Sequence, residues 1–295
     1  MRMDDEEESR NVDDRRASTG KSGGGMPSMH TMMILWPIVK PLLKSKFGMV
    51  LIAAGVGAYM MGYNPLALIG MGGVSSQPVN KVEDENRKVF ISKVLKSTED
   101  VWTETLAKYG MRYIKPTMVL YRGATRSGCG SAQSQMGPFY CPADKKVYLD
   151  LGFFDELANR HSSPGDFAQA YVLAHEIGHH IQDLQGTLDK VQRAKQSWGG
   201  QAAKSNALQV KVELQADCYA GAWAYHAQKK FKMLEPGDIE EALHAASSIG
   251  DDTLQKQAGQ RVRPDGFTHG SSQQRVSWFK RGFVSGDLRQ CDTFK

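Results

Sequence analysis

Apolar residues recur at helical spacing in three long segments of the chain. The first segment predicts a helix around residues 84–109. The second lies between Pro164 and Gly186, with a proline near its start and a glycine after its end, as helix boundaries favour. The third covers residues 207–223 and carries small and apolar residues at most positions. The pattern therefore predicts long and largely buried helices.

Only two short segments have the character of β-strands, residues 117–122 and 146–150. The second lies shortly before the helix that follows Pro164. Further helices are predicted over residues 238–247 and 271–283. The fold class expected is α+β, mainly helical with a small β-sheet.

The second predicted helix contains the sequence HEIGH at residues 175–179. Residues four apart share a helix face, so His175 and His179 can direct imidazole nitrogens at one metal ion. Glu176 sits one position round and can reach a metal-bound water without ligating the metal. The opposing interpretation treats both histidines as ordinary interior or surface residues, each with its own hydrogen-bonding partner. The spacing favours a zinc site for hydrolysis.

The sequence also predicts the surroundings of two other residues of this helix. His180 lies about 100° round the helix from His179, which excludes it from the same metal site and predicts a place in the second layer or at the surface. Gly178 would weaken a helix by about 1 kcal/mol relative to alanine. Its presence therefore predicts close packing against a second backbone.

A catalytic zinc ion takes three protein ligands and leaves a fourth position for water. Glu213 and Asp217 lie four apart on the third predicted helix and share a face. If that helix packs antiparallel to the helix of His175, Glu213 is the third ligand and Asp217 accepts the free ring N–H of a ligand histidine. The alternative is a solvated face, but the small neighbours Ala216 and Ala220 favour a buried one.

These motifs resemble the gluzincin branch of zinc peptidases, in which the third ligand is the first acid of a Glu-x-x-x-Asp run on the next long helix. More closely, three stretches are similar to the neutral zinc metallopeptidase family of bacterial membrane-anchored proteins: HEIGHHIQ at 175–182, ELQADC at 213–218 and FTHGSSQQR at 267–275. The charged opening at 8–16 is similar as well. The resemblance implies a zincin-like peptidase fold and a zinc ion. It also implies that residues 147–149 are an edge strand that binds an extended substrate backbone. It does not identify a substrate.

His269 has two interpretations. In gluzincins a histidine downstream of the third ligand hydrogen-bonds the oxyanion, and His269 has suitable chain order for that catalytic role. It also precedes Gly270 and Ser271, where Ser271 is the expected N-cap of the last helix, so a structural role in the loop is equally compatible with the sequence.

The N-terminal quarter of the chain differs from the rest in composition. Residues 1–28 are charged and then rich in Ser and Gly, which predicts a disordered cytoplasmic leader. A basic membrane-proximal segment, 29–46, precedes residues 47–69, which contain no charged residue and are long enough for a transmembrane helix. Residues 70–83 form a linker, and the metallopeptidase domain covers 84–295. A cleaved signal peptide and a buried core helix are the alternatives for 47–69.

Lys40, Lys44 and Lys46 precede the predicted span, whereas residues 71–80 carry no positive charge. Together with the resemblance to bacterial membrane-anchored proteins, this implies a single-pass protein of the bacterial inner membrane, oriented by the positive-inside rule. Its N-terminus would lie in the cytoplasm and its catalytic domain in the periplasm or outside the cell.

All four cysteines follow the predicted span, and an even count in an exported domain favours two disulfides among three possible pairings. We predict that Cys129 pairs with Cys141 across a short Gly/Ser/Gln loop. Cys218 would pair with Cys291 and hold the C-terminal end against the helix of Glu213. Zinc ligation by cysteine is the alternative, but the 129/141 spacing fits no common zinc ligand pair.

The formal charge of +5 is spread too evenly for a nucleic-acid surface, so no nucleic-acid partner is expected. The leading hypothesis is a membrane-anchored zinc endopeptidase that acts on protein or peptide substrates, with Glu176 as general base. One alternative is a non-catalytic, zinc-stabilised envelope scaffold, which would have no use for Glu176. Another is a zinc amidase that acts on cell-wall peptides by the same chemistry.

Overall fold

The computed structural model describes residues 1–17, 80–133, 136–160, 165–199 and 201–295. The predicted transmembrane helix at 47–69, the basic segment before it and residues 70–79 of the linker lie outside these ranges. Within the described ranges, no helix combines the length and apolar character that a membrane crossing requires.

Helices dominate the described residues, with a small sheet beside them. The strands are β1 (Val12–Asp14), β2 (Thr117–Tyr121), β3 (Ala124–Ser127), β4 (Gly130–Gln133), β5 (Phe139–Cys141) and β6 (Lys146–Asp150). The helices are α1 (Lys81–Lys108), α2 (Leu151–Arg160), α3 (Asp166–Leu184), α4 (Thr187–Ser197), α5 (Ala202–Phe231), α6 (Asp238–Ser248), α7 (Asp251–Gln257) and α8 (Ser272–Ser285), with 3-10 turns at Pro264–Gly266 and Leu288–Cys291. The predicted α+β class is confirmed.

Four strands form one sheet in the order β1-β2-β6-β5, and β3 pairs with β4 in a separate hairpin. The first three strands run parallel, whereas β5 is antiparallel to β6. The prediction that residues 147–149 form the edge was wrong, because β6 pairs on both sides, with β2 and with β5. Among the described strands, β5 lies at that end of the sheet.

The N-terminal segment corrects a second prediction. Residues 1–17 belong to the same compact unit as residues 81–295, and β1 pairs in register with β2. Ser9 and Asn11 both donate hydrogen bonds to the buried carboxylate of Glu99, at 2.5 and 2.7 Å. The expectation of a disordered leader is therefore wrong for residues 1–17, since backbone pairing and a buried charge offset the low apolar content of the segment.

Helices α3 and α5 pack antiparallel through their central turns. Phe167 near the start of α3 stacks on Trp223 near the end of α5, and Gln182 near the end of α3 bonds the carbonyl of Val212. Gly178 lies between these contacts, and a Cβ there would stand 2.9 Å from the backbone oxygen of Ala216. The close approach predicted at Gly178 is confirmed.

Both predicted disulfides are confirmed. Cys129 bonds to Cys141, which joins the β3–β4 hairpin to β5. Cys218 bonds to Cys291, which holds the C-terminal turn against α5. Both bonds therefore anchor loop or terminal segments to the elements that carry the candidate site.

Candidate active site

Three side chains with metal-binding groups converge where α3 and α5 pack together. Glu213 Oε2 lies 3.2 Å from His175 Nε2 and 3.4 Å from His179 Nε2, and one ligand atom from each residue lies within 4.8 Å of the others. In a tetrahedral zinc site with bonds of about 2.0–2.1 Å, ligand atoms stand about 3.3 Å apart. The donor types and their spacing therefore fit a zinc ion.

Because His175, His179 and Glu213 are packed together away from solvent, the pKa of each depends on the charges of its neighbours. Burial opposes the charged form of His175, but the charge of Asp217 and hydrogen bonds to Asp217 and Glu213 outweigh it and raise the pKa to about 9. Burial likewise disfavours the charged form of His179, and Glu213 raises its pKa. Burial also favours neutral Glu213, yet the charges of His179 and His175 hold its pKa well below the usual range. The two imidazoles and the carboxylate thus contact one another at the atoms that a metal ion would need, so metal binding would replace these contacts.

The ring of His175 is held by a buried ionic network. Its Nδ1 donates to Asp217 Oδ1 at 2.8 Å, which leaves Nε2 free to face Glu213. Asp217 also accepts two hydrogen bonds from Arg275, both at 2.9 Å, and one from the Tyr171 hydroxyl at 2.6 Å. Burial raises the pKa of Asp217, but the charges of Arg275 and His175 lower it to about 2. The carboxylate therefore stays ionised beside the imidazole, and it contacts the ring nitrogen of His175 that the sequence analysis assigned to it.

A cavity of about 750 Å³ opens onto this group of residues. Glu176, His269 and Arg275 line it together with His175, His179 and Glu213. Residues 136–140 and Pro142 form part of its wall, so the cavity borders β5. Residues of β5 and the two histidines therefore line the same cavity.

His269 lies at the cavity with half of its side chain exposed, and Asp251 holds it there. Asp251 Oδ2 accepts the backbone N–H groups of Thr268, His269 and Gly270 at 2.7, 2.6 and 2.9 Å. Its Oδ1 lies 3.3 Å from His269 Nδ1. Asp251 therefore caps this loop, and the imidazole of His269 is left facing the cavity.

His180 lies outside the group, as predicted. It is fully buried on another face of α3, with Nδ1 3.0 Å from the Tyr140 hydroxyl and Nε2 2.6 Å from the backbone oxygen of Ile114. Its contacts tie α3 to the residues around the sheet and leave no ring nitrogen for the metal position.

The sequence analysis did not single out Tyr171, Asp251 or Arg275. Tyr171 lies four residues before His175, on the same helix face, and that spacing could have indicated a neighbour of the site. Arg275 shares a buried face of α8 with Phe279 and Gly282. An arginine on such a face needs a buried partner, and that was an available signal. Asp251 gave no comparable signal, because its three backbone partners come from a separate loop.

Comparison with known proteins agrees with this arrangement. A family model described as "Putative neutral zinc metallopeptidase" matches residues 1–294. The uncharacterized protein YpfJ of Escherichia coli (strain K12) is 46% identical over 303 residues, which cover 100% of this chain and 99% of that protein. The uncharacterized protein Mb2605 of Mycobacterium bovis is 44% identical over 208 residues, which cover 67% of each chain.

No solved structure matches the chain. The family model spans nearly the whole sequence, including the histidine pair, Glu213 and the ordered N-terminal segment. The chain therefore belongs to the neutral zinc metallopeptidase family.

Proposed function

We propose that the chain is a zinc-dependent endopeptidase whose zinc ligands are His175, His179 and Glu213. The observation that carries this proposal is the position of the three donor atoms, 3.2–3.4 Å between Glu213 and each histidine, at the wall of an open cavity that Glu176 also lines. A zinc ion bound there would lower the pKa of water to about 7 and polarise a peptide carbonyl.

The remaining steps belong to residues of the chain. Glu176 is not one of the ligands, so its carboxylate is available to take the proton of the attacking water and to pass it to the leaving amine. His269 donates a hydrogen bond to the oxyanion that develops on the carbonyl, and Asp251 orients its ring for that purpose. Asp217 and Arg275 keep His175 in the tautomer that ligates through Nε2.

The substrate is proposed to bind as an extended segment along β5. This strand lies at one end of the described sheet and borders the cavity, which is the position from which a strand can pair with a peptide backbone. Phe139 and Phe153 contribute apolar surface to the same cavity. These features support a polypeptide substrate and do not define its sequence.

The proposal can be tested with purified full-length protein and a bacterial envelope protein fraction. We expect Glu176→Gln to retain one zinc ion per chain but to lose about 100- to 10,000-fold in hydrolysis, because only the proton acceptor is lost. Glu213→Ala should lose zinc itself. Product identification by mass spectrometry supplies the substrate, and hydrolysis by Glu176→Gln at the wild-type rate would refute the mechanism.

The same experiment separates the alternative functions. A scaffold would retain zinc and produce no cleavage products. A cell-wall amidase would release products cut at a bond other than a protein peptide bond. Glu176 at the cavity wall supports catalysis over a scaffold, since a structural zinc site normally fills all four positions with protein ligands.

We propose that the folded domain lies outside the cytoplasm. Two disulfides support this location, because such bonds persist in oxidising compartments. The pairing of β1 with β2 adds a restriction, since residues 12–14 and 117–121 must then lie on the same side of any membrane. A single crossing between them, with a cytoplasmic N-terminus and an external domain, does not satisfy it.

A further inference from the structure

The second histidine of the proposed zinc site, His179, is oriented by a different kind of hydrogen-bond partner from the first, His175. His179 Nδ1 lies 2.9 Å from the side-chain oxygen of Gln182, one turn later on α3. Gln182 is fully buried, and its amide nitrogen donates to the backbone oxygen of Val212 at 2.7 Å and to Gln215 Oε1 at 3.1 Å. His179 therefore contacts a neutral amide, whereas His175 contacts a carboxylate.

The contacts of Gln182 fix which end of its amide faces His179. A backbone carbonyl can only accept, so the atom of Gln182 that lies 2.7 Å from Val212 O must be the nitrogen. The amide oxygen is then the atom beside His179, and an amide oxygen can only accept. His179 Nδ1 must consequently carry a hydrogen, so Nε2, which lies 3.4 Å from Glu213 Oε2, is the ring nitrogen left to bind a metal ion.

The orientation of Gln215 is fixed in the same way. Its amide nitrogen donates to the backbone oxygen of Cys291 at 3.0 Å, so its oxygen must face Gln182. Cys291 is held in place by its disulfide with Cys218 on α5. A continuous path of hydrogen bonds thus connects the C-terminal turn of the chain to the ring of His179.

We propose that Gln182 and Gln215 form a two-glutamine relay that positions His179 as a metal ligand. The relay sets the tautomer and the ring orientation of His179 through directional hydrogen bonds alone and places no charge beside it. This inference rests on the proposed zinc site and adds two positioning residues to it. Partners of this kind typically change metal affinity about 10- to 100-fold when they are removed.

The test compares three variants of the full-length chain by zinc affinity against a competing chelator and by the visible absorption spectrum of the Co²⁺-loaded protein. Gln182→Met keeps the length of the side chain and removes the acceptor for His179. Gln215→Met leaves every atom that touches His179 in place. Gln185→Met is the matched control, because Gln185 lies on the next turn and bonds Tyr219, away from the site.

We expect Gln182→Met to lower zinc affinity about 10- to 100-fold and to change the Co²⁺ spectrum, because the ring of His179 can then rotate. Gln215→Met should cause a smaller change in the same direction, and Gln185→Met should leave both measurements unchanged. Wild-type affinity and spectrum in Gln182→Met, or an equal loss in Gln185→Met, would overturn the relay.

Two further outcomes of this test also have a defined meaning. If Gln182→Met does not fold, Gln215→Met decides, and an unchanged affinity and spectrum in that variant overturns the proposal. If the wild-type chain binds no zinc, the proposed function fails before the relay is tested. The failure of the relay alone would therefore be recognised by normal zinc binding in the wild-type chain together with any of the results that overturn the relay.

Discussion

At the scale of single residues, the candidate site depends on buried charges that compensate one another. Asp217 is fully buried and accepts hydrogen bonds from His175, Tyr171 and Arg275. A buried carboxylate is tolerated only when it is paired and fully hydrogen-bonded. Arg275 supplies the compensating positive charge, so it supports the geometry of His175 without being close enough in sequence to suggest that role.

We predict that Arg275→Met destabilises the protein by about 3–5 kcal/mol, because it leaves Asp217 buried without its cation. Urea denaturation of the metal-free protein measures this change. Arg289→Met is the control, because Arg289 pairs with Asp287 on the surface and its side chain is 80% exposed, and that variant should have the stability of the wild type. Equal stability in both variants would contradict the compensating role of Arg275.

At the scale of secondary-structure elements, the site requires α3 and α5 to approach closely. Gly178 stands where a Cβ would contact the backbone of Ala216, and Gly282 on α8 stands against the backbone of Cys218 on α5. Backbone atoms cannot move aside as a flexible side chain can. The glycines therefore determine how near the helices come and where Glu213 lies relative to the two histidines.

We predict that Gly178→Ala destabilises the protein by about 1–3 kcal/mol, the usual effect of inserting atoms into a packed interior. Helix propensity alone predicts the opposite sign, a gain of about 1 kcal/mol. Thermal unfolding of the metal-free and zinc-loaded protein checks the sign. A higher unfolding temperature in the variant would show that α5 moves away without cost.

The two disulfides should differ in how much they contribute to the free energy of unfolding. They close segments with sequence separations of 12 and 73 residues. The chain-entropy model gives about 3 kcal/mol for the shorter and about 4 kcal/mol for the longer. Paired Cys→Ala substitutions, measured by urea denaturation, should therefore cost more for Cys218 and Cys291 than for Cys129 and Cys141. A larger loss from the shorter pair would contradict this order.

At the scale of the whole molecule, the N-terminal segment and the domain that carries the candidate site are parts of one folded unit. Asp5 and Lys280 are exposed positions in the two parts. We predict that Asp5→Cys and Lys280→Cys react equally with a membrane-impermeant maleimide in intact spheroplasts. Lysed spheroplasts give the reference for full labelling.

Two other outcomes of this labelling have a defined meaning. Reaction of Lys280→Cys in intact spheroplasts and of Asp5→Cys only after lysis would contradict the pairing of β1 with β2 in the cellular protein. Reaction of both only after lysis would retain that pairing and refute the proposed location outside the cytoplasm.

The sequence by itself determined the long helices, the α+β class and the groups that could bind zinc. These depend on spacing along a single helix, where positions four apart share a face whatever the rest of the fold does. The cysteine pairing followed from the separation of the cysteines and the segments they enclose, and Gly178 indicated close packing because a glycine is costly inside a helix.

Only the tertiary structure decided the features that join distant segments. The edge position of β5, the docking of residues 1–17, the pairing of Asp251 with His269 and the two-glutamine relay all depend on contacts between separate parts of the chain. The charged composition of residues 1–17 predicted disorder, since composition does not reveal a strand partner more than 100 residues away. Hydrogen bonds of this kind are directional and short-ranged, so they exist only once the fold has brought both partners together.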